Sequence, residues 1–325
     1  MKTRWLLTAA LALGGCDSGG GGGGKDASRD TTSKLDAGPD DGKDGLPVNE
    51  VPVCEPSSPM PCPPLTYATW LMPSPPGVPS PNSASYGVRA DEAKESVSGL
   101  SWQRTFTEKK TWSDAVSYCS DLNLGGVDDW RMPSRIELVS LVDFTRLPSI
   151  DQEAFPNTAN DYFWSASPAA AAGTYYSVYF GAGLTAFGAA SNPSAHVRCV
   201  RGGGPGLAPR FDLTATTALD RNTQLTWQRR ILDQQLPWAL AKEQCVGLGN
   251  GWRLPSTKEL QTVVDETKSN PSVDSTVFLD TPAALFWTST PVNRGELTNA
   301  VFVDLRDGTT EEAGIDEAHW LRCVR

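Results

Sequence analysis

Histidine is nearly absent from this sequence: His196 and His319 are the only two in 325 residues. So small a supply of imidazole argues against a histidine-built metal centre or a histidine mechanism. The seven cysteines include no C-x-x-C pair, which removes the common zinc and thioredoxin-like spacings. Long apolar runs are missing too, and the clearest one, over 5–13, falls well short of the ~20 residues a membrane-crossing helix needs. Positive charge is in deficit, with 28 Lys and Arg against 38 Asp and Glu. The deficit is evenly spread: 10 against 13 in 84–203, 12 against 16 in 207–325 and 6 against 9 in 1–83. No region gathers the cationic field that a polyanion requires, so nucleic acid is excluded as a partner.

What the sequence does contain is one stretch written twice. Trp130-Arg131-Met132-Pro133-Ser134-Arg135-Ile136-Glu137-Leu138 returns as Trp252-Arg253-Leu254-Pro255-Ser256-Thr257-Lys258-Glu259-Leu260. Ser134 with Glu137, and Ser256 with Glu259, have the S-x-x-E spacing of a capping box. The proline ahead holds the chain extended until the serine. Apolar residues follow at helical spacing: Ile136, Leu138, Val139, Leu141 and Val142 in one copy, Leu260, Val263 and Val264 in the other. Each copy therefore reads as an extended Trp-Arg segment turning into an amphipathic helix, with Asp143 and Asp265 closing the two helices. The two glutamates are assigned to capping, because a catalytic carboxylate does not need a serine three residues before it.

The repetition extends far beyond that stretch. Trp102 and Trp227 differ by 125, Trp112 and Trp238 by 126, Cys119 and Cys245 by 126, Trp164 and Trp287 by 123, and Cys199 and Cys323 by 124. An offset that drifts by so little marks a duplicated unit with small loop insertions. The copies span 84–203 and 207–325, joined by the hinge Gly202-Gly203-Gly204-Pro205-Gly206. Within a copy the pattern predicts a hairpin (216–227, turning at Arg221-Asn222), a first helix from Thr111 or Pro237, the capped helix, and strands at 163–165, 175–180, 286–288 and 300–305. A closing strand carries Arg198-Cys199-Val200-Arg201 or Arg322-Cys323-Val324-Arg325.

Ahead of the copies, residues 1–16 read as an export signal: Lys2 and Arg4, a short apolar run, then Leu13-Gly14-Gly15-Cys16. That ending resembles a bacterial lipobox, in which the cysteine is acylated, so Cys16 is the expected lipidation site. Several acyl chains give stable anchoring where one does not. Residues 17–83 are rich in Gly, Asp, Ser and Pro and predict a disordered tether without a core. Cys54 and Cys62 bracket a proline-rich loop there and are available to pair with each other.

Setting Cys16 aside leaves six cysteines, an even number in an exported chain. The symmetric pairing joins Cys119 to Cys199 and Cys245 to Cys323, pinning the first helix of each copy to its last strand. Nine of the eleven tryptophans lie in the copies and eight of those are matched, which argues for core packing. Trp320 has no match and is the better surface candidate. His196 aligns with Trp320 and His319 with Ala195, one position out of register, so both histidines are assigned to the surface.

Together, Gly-Leu-x-Trp-Gln-Arg at 99–104, Cys119, the Gly126 to Leu138 motif, Phe163-Trp164-Ser165 and Arg198-Cys199-Val200-Arg201 resemble the Lcl C-terminal domain family of bacterial surface proteins. The second copy carries Gln224 in place of the first glycine and Gly251 in place of the aspartate. The resemblance implies an α+β fold class: two tandem C-type-lectin-like domains, each with two helices and a small antiparallel sheet, a fold shared with formylglycine-generating enzymes. It also implies surface display and adhesion, here to a glycan or matrix ligand, with the membrane engaged through the lipid. No calcium-lectin signature is present, and neither a cofactor nor a metal is expected. The unlike segments 165–195 and 289–317 read as ligand loops, with Tyr175, Asn192, Arg294, Arg306, Asp307 and Trp320 as candidate contacts. The expected product is an outer-membrane or cell-surface lipoprotein without enzymatic activity. The alternatives are an envelope component that binds a protein partner, and an enzyme akin to the formylglycine-generating group.

Overall fold

Residues 67–74, 82–192, 195–204, 206–292 and 295–325 are described by the computed structural model. Cys16, Cys54, Cys62 and Arg294 lie outside them. Among the described residues, no helix is long and apolar enough to cross a membrane.

Each repeat is built from the same α+β parts. In the first, β1 (Tyr86–Val88), β2 (Glu92–Glu95) and β3 (Ser101–Gln103) form an antiparallel meander that β7 (Val200–Arg201) completes against β3. Between β3 and β7 come α1 (Trp112–Ser120), α2 (Arg135–Ser140) and a second meander of β4 (Tyr162–Pro168), β5 (Thr174–Tyr179) and β6 (Leu184–Ala189). The second repeat follows with β8 (Phe211–Leu213), β9 (Thr217–Asp220), β10 (Thr226–Gln228), α3 (Trp238–Val246) and α4 (Thr257–Gln261). Its second meander is β11 (Leu285–Pro291), β12 (Asn299–Asp304) and β13 (Thr309–Gly314). The closing segment there is bridged at Val324 to Trp227 and Arg253.

Local chemistry explains the matching elements. Thr111 caps α1 by accepting from the Asp114 amide, whereas Pro237 begins α3 without a side-chain cap. The turn between β2 and β3 needs a left-handed residue, which Gly99 supplies at φ 71° and Gln224 matches at φ 58° in the second repeat. The glycine-to-glutamine exchange therefore leaves the turn intact at a local backbone cost.

Four expectations need correction. The helices end at Ser140 and Gln261, before Asp143 and Asp265. Those aspartates instead accept from the amide and hydroxyl of Thr145 and Thr267, opening side-chain turns that compete with helix. The segments 165–195 and 289–317 are mostly strand, because β6 and β13 add a third strand to each meander. Neither strand shows a polar-apolar alternation: β6 buries Thr185 and exposes Phe187, and β13 buries Thr310 and Ala313. Residues 67–74 are part of the fold: Ala68, Trp70 and Met72 are buried in the core of the first repeat, and Tyr67 lies under the Arg210 guanidinium at 4.8 Å. The apolar run from Tyr67 to Met72 was the available signal. Finally, His196 and His319 are buried rather than superficial. His196 Nδ1 lies 2.6 Å from the Thr107 carbonyl, and His319 packs against Trp287 and Phe302.

Each repeat holds two apolar clusters, one around Trp102 or Trp227 and one around the disulfide. Cys119–Cys199 and Cys245–Cys323 are bonded, each joining the first helix of its repeat to the closing segment. The matched tryptophans are structural. Trp112 and Trp238 donate to the carbonyls of Ser165 and Thr288, and Trp164 and Trp287 to those of Lys110 and Leu236.

Candidate functional site

The motifs that repeat most faithfully turn out to be scaffold. Glu137 Oε2 accepts from the Ser134 amide at 2.7 Å, and Glu259 Oε2 from the Ser256 amide at 2.8 Å, completing both capping boxes. The same carboxylates hold the motif arginines: Arg131 meets Glu137 at 2.8 and 2.5 Å, and Arg253 meets Glu259 at 2.8 and 2.6 Å. This bidentate pairing ties the Trp-Arg segment to the helix that follows it. Burial works to raise the Glu259 carboxyl, but its bonds to Arg253 and Ser256 hold it below the ordinary range. Arg198 and Arg322, in the closing motifs, are fully buried. They donate to backbone carbonyls and to Thr158 and Thr281, over the rings of Phe155 and Phe278. Burial pushes both guanidinium groups down.

The surfaces that differ between copies meet each other. β6 packs on β13 and α2 on α4, so equivalent elements face one another across an approximate two-fold axis. Thr185 and Thr310, counterparts in the two repeats, meet there: the Thr185 amide donates to Thr310 Oγ1 at 2.8 Å and the hydroxyls lie 3.2 Å apart. The arrangement is symmetric but its polar chemistry is not. Arg135 is fully buried, donating to Glu266 at 2.8 Å and to the Gln261 side chain at 2.6 Å. Lys258, buried on the other side, donates to the carbonyls of Ser140 and Val142 at 2.7 and 3.0 Å.

Lys258 has a measurable consequence. Burial pushes its amine from the ordinary 10.5 down to about 8, against the pull of Asp143 and Glu95. Between those values the unfolded chain binds the extra proton, so stability should rise as pH climbs from about 8. Tyr86, raised above its ordinary range by burial, works in the opposite direction once the pH passes its ordinary value of 10. The unfolding free energy is therefore expected to climb from pH 8 to pH 10, by on the order of 2–3 kcal/mol, read as a rise in the denaturant midpoint. In Lys258→Met the climb between pH 8 and pH 9 should vanish, ahead of the contribution that the lowered Arg198 and Arg322 make above about 9, and an unchanged slope there would show that another group titrates.

The candidate ligand residues are not assembled into one site. Tyr175 is half-buried and stacks on Trp112 with centroids 3.6 Å apart. Asn192 is exposed. Arg306 is engaged with Asp304 at 2.8 and 2.9 Å. Asp307 lies at the repeat interface, where its carbonyl accepts from the Tyr176 hydroxyl. Trp320 is only partly exposed, packed against the core of the second repeat, which weakens its standing as a surface platform. Among the described residues, no hydrogen bond, ion pair or ring contact joins Tyr175, Asn192 and Trp320 to Arg306 or Asp307. Nor is there, among the described residues, a cluster of three or more potential metal ligands.

A cleft of about 240 Å³ opens at the edge of the same interface. Repeat one contributes Phe144, Arg146 and Ala182, and repeat two Pro291, Val301 and Glu312. Ala182, Pro291, Val301 and Glu312 lie in the two segments read from the sequence as ligand loops, whereas Phe144 and Arg146 do not, because they become lining residues only when the repeats dock.

The recurring scaffold, the paired bridges and the doubled core are matched by one family. The Lcl C-terminal domain is found twice, over residues 92–201 and 216–325. The chain belongs to the Lcl C-terminal domain family. The two Lcl C-terminal domains fill most of the chain and reproduce its internal repeat. No curated protein matches the chain.

Proposed function

We propose that this protein is an exported lipoprotein, anchored through Cys16, that presents a docked pair of Lcl C-terminal domains to a glycan or matrix ligand at the cell surface. The observation that supports this reading is the order of parts: a lipobox-like Leu13-Gly14-Gly15-Cys16, a Gly- and Asp-rich spacer, then two disulfide-bridged copies of the Lcl C-terminal domain. The Gly- and Asp-rich spacer between Cys16 and the pair suits display away from a bilayer. Outer-membrane or surface display follows from that design. The net charge of −10 favours a neutral or cationic ligand over a sulfated one. Enzymatic activity is not part of the reading, since the four domain cysteines are bonded and the most faithful motifs are spent on capping and packing.

Two measurements test it. Metabolic labelling with an alkyne fatty acid should tag the wild-type chain and not Cys16→Ser, and an unlabelled wild type would remove the anchor. On a glycan and matrix array the folded chain should be retained by a defined set of ligands. Retention on none of them, with one dominant protein adduct after crosslinking in cells, would favour an envelope protein with a protein partner instead.

A further inference from the structure

The approximate two-fold axis makes each side of the repeat interface a template for the other. On one side the space is filled by Tyr176 of β5. Its ring lies 5.5 Å from the Arg135 guanidinium and meets Phe187 edge-on at 6.0 Å, and its hydroxyl donates to the Asp307 carbonyl. The counterpart of Tyr176 is Val301. The equivalence is fixed by matching bonds: Ser165 donates to the Tyr176 carbonyl at 2.8 Å, and Thr288, its equivalent, to the Val301 carbonyl at 2.7 Å.

Several residues on the filled side have counterparts around Val301, although Arg135 corresponds to Thr257, which does not line the cleft. Asp307 corresponds to Ala182, Phe187 to Glu312, Glu266 to Phe144, Lys268 to Arg146 and Pro168 to Pro291. All five counterparts line the cleft of about 240 Å³. The cleft is thus the place where the second repeat would have put a tyrosine ring and put a valine instead. The exchange removes the ring and its hydroxyl, and the wall changes with it: Phe144 stands for Glu266, Glu312 for Phe187 and Ala182 for Asp307. The space is smaller than the several hundred Å³ typical of drug-sized pockets, which limits the occupant to a single ring.

We infer that this cleft binds a phenol: a planar ring seated between Phe144, Pro291 and Val301, with its hydroxyl donating to the Ala182 carbonyl as Tyr176 does to Asp307. Arg146, held by Asp143 at 2.6 Å, stands at the rim as Lys268 does beside Asp265 on the filled side. The ring can be delivered by a small phenolic molecule or by a tyrosine side chain of a peptide, since both present the same group. The inference goes beyond the surface-binding reading and does not depend on the lipid anchor or on any glycan.

Saturation-transfer NMR on the full-length chain decides it, with 4-methylphenol as probe and toluene as the ring without a donor. The wild type should give a saturable signal with 4-methylphenol and at least a several-fold weaker one with toluene. Val301→Tyr, which places the protein's own ring in the cleft, should abolish the signal while keeping the wild-type unfolding midpoint or raising it. Tyr176→Val should open the second cleft and add a second equivalent of bound probe. A tyrosine-centred tripeptide amide that displaces 4-methylphenol assigns the ring to a protein partner, and failure to displace assigns it to a small molecule. No saturable binding to the wild type, or equal binding to Val301→Tyr, overturns the inference. Equal binding of toluene overturns the assignment to a phenol.

Discussion

Alanine at both Cys119 and Cys199 is expected to lower the unfolding free energy of the first repeat by about 4–5 kcal/mol, and the Cys245/Cys323 pair should do the same for the second. The bridges close segments with sequence separations of 80 and 78 residues, so the chain-entropy term is large and nearly equal in the two repeats. All four cysteines are fully buried in the clusters beside Trp130, Trp164 and Trp287, so truncation also leaves small cavities there. Guanidinium titration of the oxidised wild type against each double variant measures the loss. Midpoints that stay within error of the wild type would show that the packing of α1 and α3 alone carries the repeats. Because the repeats share an interface, losing one bridge should also weaken the other repeat's apparent stability.

Arg135→Ala should cost about 3–5 kcal/mol, because it strands Glu266 in a buried site without its cation. Both side chains are fully buried, Arg135 Nε lies 2.8 Å from Glu266 Oε1, and the same guanidinium also binds Gln261. Burial already pushes the Glu266 carboxyl above its ordinary value, with Arg135 pulling it back. Without the arginine that carboxyl rises further and takes up a proton in the folded state. The folded variant then binds more protons than its unfolded chain, so its deficit should shrink as pH falls toward the ordinary carboxyl range and grow as pH rises. Arg135→Met combined with Glu266→Leu should recover most of the loss, since it replaces the pair with apolar volume. The informative readout is the number of unfolding transitions. A single wild-type transition that splits in Arg135→Ala identifies the pair as the link between repeats, and an unsplit transition with a small loss would show that β6 and β13 suffice.

Much of the scaffold is legible in the sequence. The S-x-x-E spacing at Ser134 and Ser256 specifies a local hydrogen-bond pattern that needs no tertiary partner, and both capping boxes form. The matched cysteines and tryptophans follow from duplication, which repeats a working core together with its staples. β6 and β13 carry little signal in the sequence because β6 buries Thr185 and exposes Phe187, and β13 buries Thr310 and Ala313, three apart, so neither shows a polar-apolar alternation. Trp70 and Met72 escaped notice because they are a short apolar run inside a segment whose overall composition reads as disordered.

The sequence by itself determined the duplication, the family, the capped helices and the partners available to each cysteine, all of which rest on spacing along one chain. Only the tertiary structure decided that the two unlike surfaces face each other, that Arg135 and Lys258 are interior charges, and that Val301 leaves open what Tyr176 closes. Those facts depend on pairs more than a hundred residues apart, such as Thr185 with Thr310 and Arg135 with Glu266. Their meeting is fixed by docking two folded surfaces, and docking leaves no periodic mark in either copy.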